Sequence, residues 1–165
     1  MRFVKSMQDR REPRAAFHVN GVMDNRTSEN VRPRGPRILI VEDEVFVAMD
    51  IERILLDAGF DVQAIAADRR EALANAQGID VAFVDLNLRD GPTGEEIAAE
   101  LARTYAVRVV YVTANPAQIV HPAQNAVGFI RKPFDDTAIA AAAAIASNRA
   151  VSVEAASAIT RFVPS

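Results

Sequence analysis

The sequence predicts a doubly wound α/β domain, a five-stranded parallel sheet with helices on both faces. Three observations predict it. Short continuous runs of β-forming residues recur at Ile38-Leu39-Ile40-Val41, Val81-Ala82-Phe83-Val84 and Val109-Val110-Tyr111-Val112. Apolar runs of this length suit strands buried on both faces. Segments with apolar residues at helical spacing lie between them, joined by short connections. Strand and helix alternate five times, and with right-handed crossovers that order leaves few topologies other than a parallel sheet.

The first run leads into a helix in which Val47, Ile51, Ile54, Leu55 and Ala58 recur at intervals of 3, 4 and 7, with Gly59 as the C-terminal stop. Residues 62–66 form a weaker second strand. Asp68 with Glu71 three residues later resembles a capping box ahead of Ala72, Leu73 and Ala76. After the third strand, Ile97, Leu101 and Tyr105 make the next helix face. Asn115-Pro116 could cap and start a fourth helix, but His121-Pro122 interrupts it within two turns. The spacing therefore predicts a short or irregular fourth helix. Val127-Gly128-Phe129-Ile130 is the fifth strand, and Asp135 or Asp136 opens an alanine-rich last helix through about Ser147. In the tail, Val151, Ala155, Ala158, Ile159 and Phe162 stand at helical spacing, which reads as a further amphipathic helix or a frayed end.

At 165 residues, 50% apolar and 25% charged, the chain suits one domain with tails. The absence of cysteine excludes disulfide scaffolds, thiolate zinc sites, iron–sulfur clusters and cysteine nucleophiles. No apolar run approaches a membrane span, and the basic N-terminus is not followed by an apolar stretch. The expected location is cytoplasmic, with no membrane partner. The net charge of -3 divides unevenly: residues 1–37 carry +5 and residues 38–165 carry -8. Residues 1–36 show no sustained period and end in Pro33-Arg34-Gly35-Pro36, so they read as a basic, mostly disordered arm. Met7 and Met23 could each begin a shorter chain. Three parts follow: an arm over 1–36, a folded domain over 37–147 and a tail over 148–165.

Ligands of doubly wound sheets bind outside the carboxyl ends of the strands. Here those ends carry Glu42-Asp43-Glu44 after the first strand, Asp85 after the third, Thr113 after the fourth and Lys132-Pro133 after the fifth. Parallel neighbours lie about 4.8 Å apart, so these side chains can converge in one pocket. Oxygen donors without histidine or cysteine fit a hard cation such as Mg2+, and His18 and His121 have no partner at ligand spacing. Carboxylates with a hydroxyl, a lysine and a cation form a set that can neutralise a transferring phosphoryl group, and an aspartate can itself be the nucleophile. Taken singly, the acids could cap the first helix and Thr113 and Lys132 are ordinary strand-end and loop residues. Their joint placement on successive strand ends favours the functional reading.

With these motifs in order, the sequence resembles the receiver domain of two-component response regulators, of the stand-alone kind. The resemblance covers about residues 37–147. It rests on Ile38-Leu39-Ile40-Val41-Glu42-Asp43-Glu44, Val84-Asp85-Leu86-Asn87-Leu88, Val112-Thr113-Ala114 and Phe129-Ile130-Arg131-Lys132-Pro133-Phe134. It implies a flavodoxin-like (βα)5 fold in which Asp85 is the phosphoacceptor. Asp43, Asp85 and the backbone carbonyl of Asn87 would hold Mg2+, with Glu42 assisting through water. Thr113 and Lys132 would hold the phosphoryl oxygens, Thr113 and Phe129 would act as the switch, and Asn87 and Asn115 would tune hydrolysis of the acyl phosphate. The partners implied are a histidine kinase or phosphotransfer protein and an unknown downstream protein. The last helix and tail offer a surface for a homodimer. The chain is then expected to be a non-enzymatic phosphoacceptor, acting through protein contacts or as a phosphate shuttle or sink, with no effector domain.

Three rivals have weaker support. A haloacid-dehalogenase-like phosphohydrolase would need a second aspartate where Asn87 stands. A nucleotide-binding module would need a glycine-rich phosphate loop, and neither G-x-x-x-x-G-K-[ST] nor G-x-G-x-x-G occurs. A DNA-associated regulator would use the basic arm, which lacks interleaved aromatics.

Overall fold

A computed structural model describes residues 35–162. The basic arm expected over 1–36 therefore lies, up to residue 34, outside the described residues. Five strand and helix units follow in order: β1 (Arg37–Val41), α1 (Val45–Asp57), β2 (Asp61–Ala66), α2 (Arg69–Ala74), β3 (Val81–Val84), α3 (Gly94–Tyr105), β4 (Arg108–Thr113), a 3-10 turn at Pro116–Gln118, β5 (Ala126–Arg131) and α4 (Asp136–Ala146). The tail adds α5 (Val153–Ala156) and β6 (Thr160–Arg161). The sheet order is β2-β1-β3-β4-β5-β6, parallel except for β6, which runs antiparallel to β5.

Alternation along each central strand divides its residues between two cores. Ile38 and Ile40 of β1, Val81 and Phe83 of β3, and Val110 and Val112 of β4 pack beneath α1 and α4. Leu39 and Val41, Ala82 and Val84, and Val109 and Tyr111 pack on the opposite face with α2 and α3. Burial on both faces is why these strands read as continuous apolar runs.

The local signals act as their chemistry suggests. Asp68 caps α2 by accepting from the Glu71 amide at 2.8 Å, and the Glu71 carboxylate accepts in turn from the Ala67 amide at 2.9 Å. Asp135 caps α4 by accepting from the Ala138 amide at 2.8 Å. The fourth helix is reduced to the 3-10 turn. Side chains hold the rest of that segment: Glu95 accepts from the Val120 and His121 amides, each at 2.8 Å, and the Tyr111 hydroxyl accepts from the Ala123 amide at 3.1 Å.

Two expectations are corrected. The sheet has six strands, not five, and helix in the tail is confined to the four residues of α5. The reason is the uncovered face over β4 and β5: with no fourth helix there, Phe162 packs against Tyr111 and Phe129 and draws the tail into the sheet. The alanine-rich α4 buries Ala138, Ala141, Ala142, Ala143 and Ala146 within its own chain. Most of the face that the sequence offered to a second subunit is thus covered internally.

Candidate functional site

Sheet register brings the polar strand ends together. Val41 lies opposite Val84, so Glu42 and Asp85 are the next residues on neighbouring strands. Thr113 pairs with Arg131 across β4 and β5, and the Lys132 amide donates to the Thr113 carbonyl at 2.9 Å. Glu42, Asp85 and Thr113 are 2%, 6% and 0% exposed, and they are the buried polar or charged residues among those described. A polar group taken from water needs a compensating partner. The partner shared by both acids is Lys132. Its Nζ donates to Glu42 Oε2 at 2.6 Å and to Asp85 Oδ2 at 2.9 Å, and lies 3.5 Å from Glu44 Oε1.

The acidic run after β1 is not used for helix capping. Glu44 stands at the N-cap of α1 without a side-chain capping bond. Glu42 Oε1 accepts instead from the Glu44 amide at 3.1 Å, which aims its other oxygen at Lys132. Burial pushes the Glu42 carboxyl above its ordinary value, against the lowering effect of the Lys132 hydrogen bond. Burial alone would lower the Lys132 ammonium, but its hydrogen bonds to Glu42 and Asp85 raise it, so the lysine is held charged. Asp85 Oδ1 accepts from the Leu86 amide at 2.7 Å, leaving Oδ2 toward the lysine.

Glu42, Glu44 and Asp85 each offer a carboxylate oxygen, all within 4.8 Å of one another. An all-oxygen, acid-rich set fits a hard divalent cation such as Mg2+. Asp43, on the same loop, is half-buried and is not among these three. Thr113 Oγ1 accepts from the Asn115 amide at 3.1 Å. Asn87 and Asn115 are exposed, and Asn87 Nδ2 donates to Gln118 Oε1 at 2.9 Å. Phe129 is half-buried, its ring centroid 6.0 Å from that of Phe162.

Sequence reasoning passed over several residues of this region. Glu44 was visible in the acidic run, but only the loop geometry brings its exposed carboxylate beside those of Glu42 and Asp85. Gly94 has a role that a lone glycine does not announce: a Cβ there would collide with the Asp85 carbonyl oxygen and the Leu86 Cα, so glycine lets α3 start against the backbone that carries Asp85. Gln118 and Phe162 were hidden by the irregular segment and the tail.

The chain is 29% identical over 127 residues to the phyllosphere-induced regulator PhyR of Methylorubrum extorquens, covering 74% of this chain and 48% of that protein. It is 30% identical over 120 residues to the transcriptional regulatory protein PdtaR of Mycobacterium tuberculosis, covering 68% of this chain and 57% of that protein. It thus spans about half the length of the curated relatives it matches. Among solved structures, the PhyR response regulator REC domain of Erythrobacter litoralis shares the fold at a TM-score of 0.62 and 24% identity, covering 73% of this chain and 98% of that one. Among the described residues no helix is long and apolar enough to cross a membrane. The model of the response regulator receiver domain matches residues 38–144, and with the acid pocket, Thr113 and Lys132 at its strand ends the chain belongs to that family of two-component signalling domains.

Proposed function

We propose that this receiver takes a phosphoryl group onto Asp85, from a phosphohistidine of a kinase or phosphotransfer protein. An Asp85 carboxylate oxygen attacks phosphorus, the bond from phosphorus to the histidine nitrogen breaks, and that nitrogen keeps the electron pair. Asp43, Asp85 and the backbone carbonyl of Asn87 are the assigned Mg2+ ligands, with Glu42 assisting through water, and Glu44 adds a further carboxylate on the strength of the acidic cluster. The cation would neutralise charge between the carboxylates and the incoming phosphoryl oxygens. Lys132 supplies a fixed positive charge beside Asp85, and the Thr113 hydroxyl supplies a donor once it turns from the Asn115 amide.

One observation carries the reading: the buried polar residues of the described domain all stand at one end of the sheet, bridged or flanked by one lysine. A donor protein has a place to dock beside them. Phe46 is 87% exposed and Val45 and Met49 are exposed on the same first turns of α1, and Phe46 shares a cleft with Glu44, Lys132 and Phe134. Apolar groups exposed beside a charged pocket suit a protein contact. Movement of the Thr113 hydroxyl toward the phosphoryl group, with Phe129 turning inward, is the switch that carries the signal onward. Asn87 and Asn115 then set the lifetime of the acyl phosphate.

Incubation with acetyl phosphate and Mg2+, followed by intact-mass measurement, tests this. Wild type should gain one phosphoryl group, and Asp85→Asn none. No gain in wild type, or an equal gain in Asp85→Asn, would falsify the assignment.

A further inference from the structure

The C-terminal segment crosses the part of the domain that the switch is expected to move. Thr160 pairs with Phe129 and Arg161 with Gly128, and the Phe162 amide donates to the Val127 carbonyl at 3.1 Å. The strand is only two residues long, and a pairing this short is readily displaced. What seats it is the Phe162 ring, packed edge-on against Tyr111 at 6.2 Å and tilted against Phe129 at 6.0 Å. Position 128 is fitted to this segment. A Cβ on Gly128 would fall on the Thr160 carbonyl oxygen and against the Arg161 Cα, both backbone atoms of β6. These contacts occupy a face that the 3-10 turn leaves uncovered.

We propose that the β5 edge and the Tyr111–Phe129 face form an interaction surface for an extended segment bearing an aromatic side chain, filled in this state by residues 160–162 of the chain itself and vacated when Asp85 is phosphorylated. The inference rests on the reading of Asp85 as phosphoacceptor and Phe129 as switch. When Phe129 turns inward, it withdraws one of the two rings that seat Phe162. The strand then retains one ring contact and a few backbone bonds. The uncovered surface offers unpaired β5 backbone groups, a gap over Gly128 and the Tyr111 ring, which together suit strand addition by a partner. Because coupling is reciprocal, whatever loosens the segment also favours the phosphorylated state by the same factor.

Hydrogen exchange on the full chain, with and without Mg2+ and beryllofluoride as phosphoryl analogue, reads the first half. Loss of one aromatic contact should speed exchange of the amides in 160–162 about threefold to tenfold, while exchange in α1 and β1, which flank the bound cation, is unchanged or slowed. The second half uses Phe162→Ala, which removes the ring, and Gly128→Ala, which pushes β6 away without touching a ring. Both should bind the analogue more tightly than wild type, by about that same factor. Loading of wild type with exchange unchanged or slowed, or equal affinity in both variants, overturns the inference and leaves the phosphoacceptor reading intact. Failure of wild type to load overturns both.

Discussion

Removing Lys132 should cost this domain more stability than removing any exposed charge, and Mg2+ should restore much of it. The lysine side chain is 13% exposed and its partners Glu42 and Asp85 are 1% and 8% exposed, so the contacts at 2.6 and 2.9 Å are shielded from solvent. Glu44, 66% exposed at 3.5 Å, adds little. Deleting one partner of a buried ion pair leaves uncompensated charge and costs about 3–5 kcal/mol. Lys132→Ala leaves two carboxylates side by side, so the expected loss is in that range. A cation on the carboxylate cluster replaces the missing charge, and ligand at one hundred times its Kd stabilises by about 2.7 kcal/mol. The assay is urea unfolding followed by far-UV circular dichroism at pH 7, in chelator and in saturating Mg2+. Lys132→Met separates lost charge from lost packing, because its stem is similar in length. If Lys132→Ala unfolds at the wild-type midpoint in chelator, or gains no more from Mg2+ than wild type does, the lysine is not the internal counter-ion of the pocket.

Three further expectations follow from named contacts. Glu42 has a folded pKa raised above 4.5 by burial, so its contribution to stability is full below 4.5 and is lost as pH rises through the folded value. In chelator, Glu42→Gln should therefore gain stability relative to wild type between pH 4.5 and neutrality, and a flat or falling difference refutes the burial effect. Gly94→Ala forces a Cβ onto the Asp85 carbonyl oxygen; thermal unfolding should show a loss of about 2–3 kcal/mol together with slower phosphorylation, and an unaltered protein would mean that α3 shifts freely. Tyr111 is fully buried, its hydroxyl pushed up to about 12 by that burial and bonded to the Ala123 amide. Tyr111→Phe orphans the Ala123 N–H at a cost of about 1–2 kcal/mol, and hydrogen exchange should localise the loosening to residues 114–125.

The central sheet was legible because three physical signals coincide in it. Strands buried on both faces must be continuously apolar, polar residues must stand where they end, and helices α2 and α4 each start on an aspartate that caps them. The Asp68–Glu71 box and the Asp135 cap show how local that information is. The tail was not legible for the opposite reason. Ile159 and Phe162, three apart, resemble one helical stripe, yet Ile159 joins the core beneath α4 and Phe162 the core on the other face. Extended backbone delivers that split, and the demand for it comes from a bare patch over β4 and β5 that no local pattern records. The nearness of Glu44 was likewise beyond the sequence, because only the path of the loop into α1 brings its carboxylate beside those of Glu42 and Asp85.

If Asp85 is the phosphoacceptor, the same pocket links stability to signalling. In the unphosphorylated state Lys132 serves two acids at once, and Glu42 has no other cation within hydrogen-bond reach among the described residues. On the phosphoacceptor reading, a phosphoryl group on Asp85 brings more negative charge and draws the ammonium toward it. Glu42, 2% exposed, would then be a buried carboxylate with a weakened partner, a condition that costs several kcal/mol if uncorrected. The third acid explains how the chain meets this. Glu44 adds an exposed carboxylate to the two buried ones, and the three together form an oxygen set that a hard cation can hold after the lysine moves. On that reading the acidic run after β1 is costly to fold and needed for function, which is where a sequence is expected to depart from its own local rules.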